Sequence, residues 1–372
     1  MKGFFIVLQN ELEKSSGVTK KINSQLEVFN NHFETTLIHE NFKKNYIRKF
    51  ISRLPLTPNN WGVKHTMKFF DCDFIYCRSD GFDRFFIKFF KKQKKVNKNC
   101  KIIVEVPDYP RRTEIRKHLN YTLPSIIKDV LAIKHLHKHV DRIATFSDCK
   151  SIWGISAVNI KNGCAVSKIK KKTACLSTDE INLIGVAGPN ANIAYDRLIQ
   201  GLSDYYLNGG KRKIFFHIVG SGAIFDNWLN SVKHLKLEQN IVFHGKITGN
   251  TLDELYNSVE IGVDDLGFHR IGINYSSSLK SREYLAKGIP IITASEVDVF
   301  VGSEFPYHCR FPSDDTPIDI NKVVAFYDRV YVYSGKSKQD IINETRKFAE
   351  ETCDIAVTML PVINYIKCST DK

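Results

Sequence analysis

Tyr275-Ser276-Ser277-Ser278-Leu279-Lys280-Ser281-Arg282-Glu283-Tyr284-Leu285-Ala286-Lys287-Gly288-Ile289-Pro290-Ile291-Ile292 is the stretch that decides the fold. Three serines precede a helical run, the usual company of a helix amino terminus, and Gly288 with Pro290 supplies a stop. A helix is predicted over Leu279–Lys287, feeding at once into a buried strand, Ile289–Thr293. Outward from this unit the same alternation recurs. Ile181–Ala187, Ile214–Val219, Ile241–Phe243 and Ile261–Val263 read as strands, with helices over Tyr195–Leu207 and Thr251–Asn257. Upstream, Phe4–Leu8, Phe74–Cys77, Lys101–Val106, Arg142–Phe146 and Val158–Asn162 are strands, and a helix opens just after Gly17, with Ile22, Leu26 and Phe29 at helical spacing. Strands alternating with helices imply right-handed βαβ units and parallel sheets.

With 372 residues, the chain suits two such domains rather than one core. The charge-rich stretch Ser167 to Glu180 is the expected boundary, giving domains over 1–172 and 173–350. The tail, 351–372 (from about Asn343), is expected to pack back on the first domain. Two doubly wound sheets facing across a cleft would bind ligands at the carboxyl ends of their strands.

The hydrophobic content of 43% suffices for two cores, and no window reaches 18 uninterrupted apolar residues. Met1–Leu8 is too short for a signal segment and reads as a first strand. Export and membrane spanning are therefore not expected. The nine cysteines form no CxxC pair and read as free thiols in a reducing compartment. Residues 1–172 carry 34 Lys and Arg against 15 Asp and Glu, a net +19, whereas residues 173–372 carry 20 against 25, a net −5. The first half should face something anionic. No nucleic-acid module or zinc signature accompanies the charge, so nucleic acid is not the expected partner.

The candidate chemistry gathers in the second half. A helix start offers free amides and a positive dipole end, which suit a diphosphate at Ser278, Leu279 and Lys280. Lys280 and Arg282 add mobile charge, and Glu283 lies where a carboxylate accepts ribose hydroxyls. The alternative is a capped surface helix. Arg197, on the first helix after Gly188-Pro189-Asn190, has the fork geometry for a diphosphate, or a salt bridge with Asp196 or Asp204. Lys246 is a second candidate cation. Gly220 and Gly222 permit close backbone approach, as in any βα turn. His269 and Arg270 fall between a strand and the serine run, as candidate ligands at the carboxyl edge of the sheet; a loop histidine satisfied by its neighbours is the alternative. In the first domain Glu105 and Asp108 end a strand facing the expected cleft, and Asp108 is the better candidate to orient a hydroxyl of a ligand there. Asp71-Cys72-Asp73 is formally DxD but precedes its strand, so no metal is assigned. Phe82 to Lys95 combines five phenylalanines with six basic residues. As a helix it either lies at a membrane interface or packs its phenylalanines on the sheet beneath a lysine rim.

The segment from Glu283 to Ile292 resembles the nucleotide-sugar motif of the large retaining GT-B family known as glycosyltransferase family four. That pattern is Glu, seven residues, Glu, then Ala-Met-Ala-x-Gly-x-Pro-Val-Ile. The first Glu falls on Tyr275 here, a departure that leaves its sugar-holding duty to another group. Gly17–Ile22, Glu105–Pro110, Tyr195–Leu202, Leu266–Arg270 and Leu279–Ala286 are similar, in order, to a branch that builds bacterial surface polysaccharides. That branch tends to carry His-Gly where this chain has Ile193-Ala194.

The resemblance implies a GT-B fold and a metal-independent, retaining hexosyltransferase without a cofactor. Gly17, Arg197, Gly220, Gly222, Lys246, Ser278, Leu279, Lys280 and Glu283 would meet the nucleotide-sugar donor, and Asp108, His269 and Arg270 the reacting sugars. The acceptor would be a lipid-diphosphate-linked saccharide of capsule, O-antigen or exopolysaccharide synthesis. The expected location is cytoplasmic, peripheral on the anionic inner face of the plasma membrane. A sugar-nucleotide epimerase or hydrolase would have little use for the basic half. A non-catalytic basic binding protein would not explain the phosphate-binding helix start.

Overall fold

The computed structural model describes residues 1–8, 17–39, 71–79, 81–106, 109, 123–174, 180–188 and 193–368. The chain forms two compact units, Met1–Lys161 with Ile355–Lys372, and Asn162–Asp354.

In the first unit β1 (Lys2–Leu8), α1 (Gly17–His32), β2 (Glu34–His39), β3 (Phe74–Ser79), α2 (Arg84–Val96), β4 (Lys101–Val106), α3 (Leu123–Leu136), β5 (Arg142–Thr145), β6 (Ser151–Ile152) and β7 (Ile155–Asn159) follow in order. Their sheet runs β2-β1-β3-β4-β5-β7-β6, parallel except for the β6–β7 pair. Successive side chains of a strand face opposite sides. Phe74 and Tyr76 therefore meet Phe29 and Phe33 beneath α1, with ring centroids 5.0 Å apart for Phe29–Tyr76 and 4.9 Å for Phe33–Phe74. Ile75 and Cys77 join Phe82, Phe86, Phe90 and Leu136 on the other side. Gly3 is required for this packing, because a Cβ there would lie 2.3 Å from the Phe74 ring.

Helix α2 takes the packed alternative. Asp83 caps it, accepting from the Phe85 and Phe86 amides at 2.8 and 3.3 Å. Phe82, Phe86, Phe89 and Phe90 are buried, so they have no face left for lipid. Its exposed side carries Arg84, Lys88, Lys91, Lys92 and Lys95. Lys94 turns inward to Asp141 and the Cys100 carbonyl, each at 2.7 Å. Strand β2 is absent from the sequence reading: its largely exposed edge position gives it no apolar run. The strand expected over Val158–Asn162 lies instead at Ile155–Asn159, because β6 turns back on it.

The second unit begins with the segment expected to separate the domains. Arg346 donates to the carbonyls of Val166, Ile169 and Ala286, each at 2.7 Å, and Lys172 bonds the carbonyl of Val259. These bonds strap residues 166–172 onto the second unit, so the division falls upstream, between Lys161 and Asn162. Then come β8 (Ile181–Ala187), α4 (Asp196–Leu207), β9 (Ile214–Gly220), α5 (Ala223–His234), β10 (Ile241–Gly245), α6 (Asn250–Asn257), β11 (Ile261–Val263), β12 (Tyr275–Ser276), α7 (Leu279–Lys287), β13 (Ile291–Thr293), β14 (Glu296–Val297), β15 (His308–Arg310), α8 (Ile320–Tyr327) and α9 (Lys338–Thr352). The main sheet is parallel, in the order β10-β9-β8-β11-β13-β15. One face buries Tyr195, Leu198, Phe216 and Trp228; the other buries Tyr256, Tyr284, Leu285 and Ala349.

The tail, α10 (Ile355–Thr358) and α11 (Leu360–Lys367), belongs to the first unit, whereas α9, with Asn343, stays in the second. Lys101 Nζ donates to the carbonyls of Tyr365 (2.8 Å), Ile366 (3.1 Å) and Cys368, satisfying the open end of α11. With these boundaries the first unit has 32 Lys and Arg against 16 Asp and Glu, a net +16, and the second 22 against 24, a net −2. No helix among the described residues is long and apolar enough to cross a membrane.

Candidate functional site

The strand order of the second unit reverses at β8, which has β9 on one side and β11 on the other. Ligands of doubly wound sheets bind outside the carboxyl ends at such a reversal. Here Asp264 and Asp265 directly follow β11, and α7 begins beside them. Ser278 is its cap, accepting from the Lys280 amide at 3.2 Å while donating its own hydroxyl to Asp264 at 2.7 Å. Ser281 donates to the other oxygen of Asp264. Ser277 donates to Asp298 at 2.6 Å and Ser276 pairs with Ser295 at 2.8 Å. The serine run is thus held by carboxylates and another serine, which fixes the helix start against the sheet.

Lys280 reaches Asp265 at 2.5 Å, with a fifth of its side chain exposed. Burial raises the Asp265 carboxyl above its usual range, Lys280 pulls it down, and neighbouring Asp264 pushes it up; the net direction is upward. Arg282, expected to add mobile charge, is fully buried. It bonds Asp298, the Ser278 carbonyl at 3.0 Å and the Asn162 carbonyl at 3.1 Å, so it ties the helix to the start of the unit. Glu283, one turn further along, is half-buried and accepts from the Tyr256 hydroxyl at 3.2 Å. Gly288 closes the helix with φ +84°, where a Cβ would stand 2.6 Å from Ile342.

Around this edge, Gly220 (φ +137°) and Gly222 (φ +146°) form the turn from β9 into α5. A Cβ at Gly220 would lie 2.1 Å from the Ala187 carbonyl, so β8 and β9 close together only through this glycine. Lys246 is exposed just beyond β10. His244, in β10, pairs with His217 at 2.9 Å; burial, with the neighbouring ring adding, lowers His217 to about 4.

Arg197 sits elsewhere in the hydrogen-bond network. Its side chain is buried, donating to the carbonyls of Thr316 (2.8 Å), Pro312 (3.0 Å) and Leu266, with Asp314 at 3.6 Å. Asp196 and Asp204 are not its partners; it pins the 312–316 loop. His269 and Arg270 lie on a short turn, Phe268–Ile271. His269 meets Asp315 at 3.0 Å, and Arg270 forks onto Asp196 at 2.6 and 3.0 Å with a third bond to Asp315 at 2.7 Å. Those carboxylates hold the Arg270 guanidinium above its ordinary range despite partial burial.

In the first unit Asp108 lies outside the described residues, and Gly17 opens α1. Glu105 is fully buried beneath α1, meeting Tyr76 at 2.6 Å, Gln25 at 3.1 Å, Lys21 at 3.6 Å and Arg78. Burial would raise its carboxyl, but Arg78 and Lys21 prevail and hold it at about 2. Asp73 accepts from the Lys2 amide at 2.7 Å at the amino edge of the sheet.

The structure therefore brings Ser278, Leu279, Lys280 and Glu283 together on one helix and places Arg197, His269 and Arg270 in a separate ion-pair network. The sequence reading missed Asp264, Asp265 and Tyr256. Two adjacent carboxylates directly after a buried strand were the available signal for the first two.

No protein-family model matches the chain, and no curated protein does. Solved structures do. A glycosyltransferase from Rickettsia africae is 12% identical with a TM-score of 0.59, 99% of each chain being covered. HepE of Anabaena, in complex with UDP, is 11% identical with a TM-score of 0.64, over 98% of this chain and 99% of that one. The lipopolysaccharide outer core galactosyltransferase WaaB is 15% identical with a TM-score of 0.58, over 99% and 100%. At such identities the likeness is one of fold. The chain has the GT-B architecture, two α/β domains with parallel sheets.

Proposed function

We propose that the protein is a glycosyltransferase that transfers a sugar from a nucleotide-sugar donor to a lipid-diphosphate-linked saccharide during assembly of a bacterial surface polysaccharide. The observation that carries this is the start of α7: a capped helix terminus, a part-exposed Lys280 and a half-buried Glu283, one turn apart, beside the strand reversal. In this reading the Leu279 and Lys280 end of the helix and the Lys280 ammonium receive the diphosphate. Glu283 accepts ribose hydroxyls, and Gly220, Gly222 and Lys246 border the nucleotide. Gly17, at the start of α1, is a further proposed donor contact. HepE was also solved with UDP-glucose, which supports a nucleotide sugar as the ligand class.

Departure of the diphosphate leaves negative charge at the bond being broken, and a cation with helix amides at that point stabilises it most as it develops. Such transfer, retaining and independent of metal, needs no cofactor. Arg197 supports the site through the 312–316 loop, and His269 and Arg270 flank it as an ion-paired turn. Asp108 is proposed to orient the acceptor hydroxyl.

The first unit's net +16 supports a cytoplasmic location, peripheral on the anionic inner face of the plasma membrane. Five exposed basic residues of α2 and the exposed Ile127, Val130 and Leu131 of α3 are the groups that would meet lipid. Incubation with a panel of labelled nucleotide sugars tests the donor assignment. Nucleotide release above background from one of them is expected; release from none would sink it.

A further inference from the structure

The Tyr256 ring is clamped on several sides. It lies in the last turn of α6, only 1% exposed, with Tyr284 edge-on at 6.1 Å. The Lys287 ammonium stands 5.1 Å from its ring centroid and is itself paired with Asp253. Tyr284, in turn, accepts from the Val186 amide at 2.9 Å, which connects the pair to β8. The one polar atom of this clamped side chain points at Glu283 Oε1, 3.2 Å away. Among the described residues nothing else bonds that carboxylate, and its second oxygen has no partner among them. Burial, reinforced by the Glu283 charge, keeps the Tyr256 hydroxyl protonated, so it is always the donor.

We infer that Tyr256 is a positioning residue for recognition of the ribose: it fixes one oxygen of Glu283 so that the other meets a sugar hydroxyl at a set distance and angle. A glutamate on a helix surface otherwise moves among several rotamers, and ordering it on binding lowers affinity. Fixing it beforehand sharpens the choice between a ribonucleotide and its deoxy counterpart. A site built around a hydroxyl rejects the analogue lacking it. The inference rests on the reading of Glu283 as the ribose ligand, and the experiment separates the two.

Calorimetry would compare UDP, ADP and GDP with their 2′-deoxy and 3′-deoxy counterparts on wild type, Glu283→Ala and Tyr256→Phe. Phe keeps the ring and its packing and leaves no buried hydroxyl unpaired, so folding is retained, as circular dichroism would check. Wild type should prefer the ribonucleotide by about 10- to 100-fold, the range for one charged hydrogen bond. Glu283→Ala should abolish the preference. Tyr256→Phe should narrow it to about threefold, with affinity for the deoxynucleotide unchanged, as expected for loss of pre-organisation alone. If Glu283→Ala keeps the wild-type preference, or wild type binds none of the nucleotides, the ribose reading falls and the inference with it. If Glu283→Ala loses the preference while Tyr256→Phe keeps it, or weakens both nucleotides equally, the positioning role alone is overturned.

Discussion

Replacing Asp265 with Asn should make the protein bind nucleoside diphosphates more tightly, not less. Lys280 Nζ lies 2.5 Å from Asp265, and the carboxylate is almost wholly buried. A diphosphate arriving at the start of α7 must therefore take the ammonium from an anion that already holds it. Two unit charges 4 Å apart attract by about 4 kcal/mol at the effective dielectric of a protein surface. Most of that is offset by the cost of keeping the pair out of water, so about 1–2 kcal/mol should separate the variant from wild type. The affinity gain is then about 5- to 30-fold, at 1.4 kcal/mol per decade. The same carboxyl gives the pH dependence a sign. Its proton is held more tightly than in an unfolded chain, so it becomes neutral as pH falls through the raised value, and Lys280 is released. Wild-type affinity should rise as pH falls through that range, while the Asn variant stays flat there. Charging a carboxyl of raised pKa also lowers stability as pH rises, so Asn should fold at least as well at neutral pH. Calorimetric titration with the diphosphate across pH would measure both effects. Weaker binding by Asp265→Asn, or parallel pH profiles, would refute this use of Lys280.

Arg197→Ala should act on stability: it leaves three backbone carbonyls of the 266 and 312–316 segments without their donor, a loss of about 3 kcal/mol or more at about 1–3 kcal/mol for each buried acceptor left unpaired. Denaturant melts would register it, and an unchanged midpoint would mean that the arginine is not structural. Replacing Lys88, Lys91, Lys92 and Lys95 with Gln, sparing Lys94 for its bond to Asp141, should remove up to about 1 kcal/mol of attraction per residue for acidic vesicles. Sedimentation at low salt would report it, and equal binding by wild type and variant would assign those lysines to solvent. Sugar transfer should continue in excess EDTA; activity lost there and restored by Mn²⁺ would revive Asp71 and Asp73.

Much of the second unit could be read directly because its signals are local. Ser278 and Gly288 bound α7 as the cap and stop chemistry requires, and the apolar runs at 181–187 and 261–263 are buried on both faces. Reading failed where a residue's role depends on distant partners. Arg197 and Arg282 carry the charge expected of phosphate ligands, yet their partners are carbonyls and a carboxylate far along the chain, at 266, 312, 316, 162 and 298. Glu105 reads as a cleft carboxylate, but Tyr76, Arg78 and α1 enclose it. The boundary is displaced for a similar reason: Lys172 lies in a run of lysines that looks like a solvated linker, yet its ammonium is buried against the distant carbonyl of Val259 and its amide bonds the Lys287 carbonyl.

Saturation-transfer NMR on intact nucleotide sugars, with wild type and Glu283→Ala side by side, tests the central claim most directly. The account predicts transfer to the base and ribose protons of one donor, with the ribose signal lost and binding weakened by about 1.5–3 kcal/mol in the variant. Absence of transfer to any nucleotide sugar, or an identical pattern from folded Glu283→Ala, would contradict it.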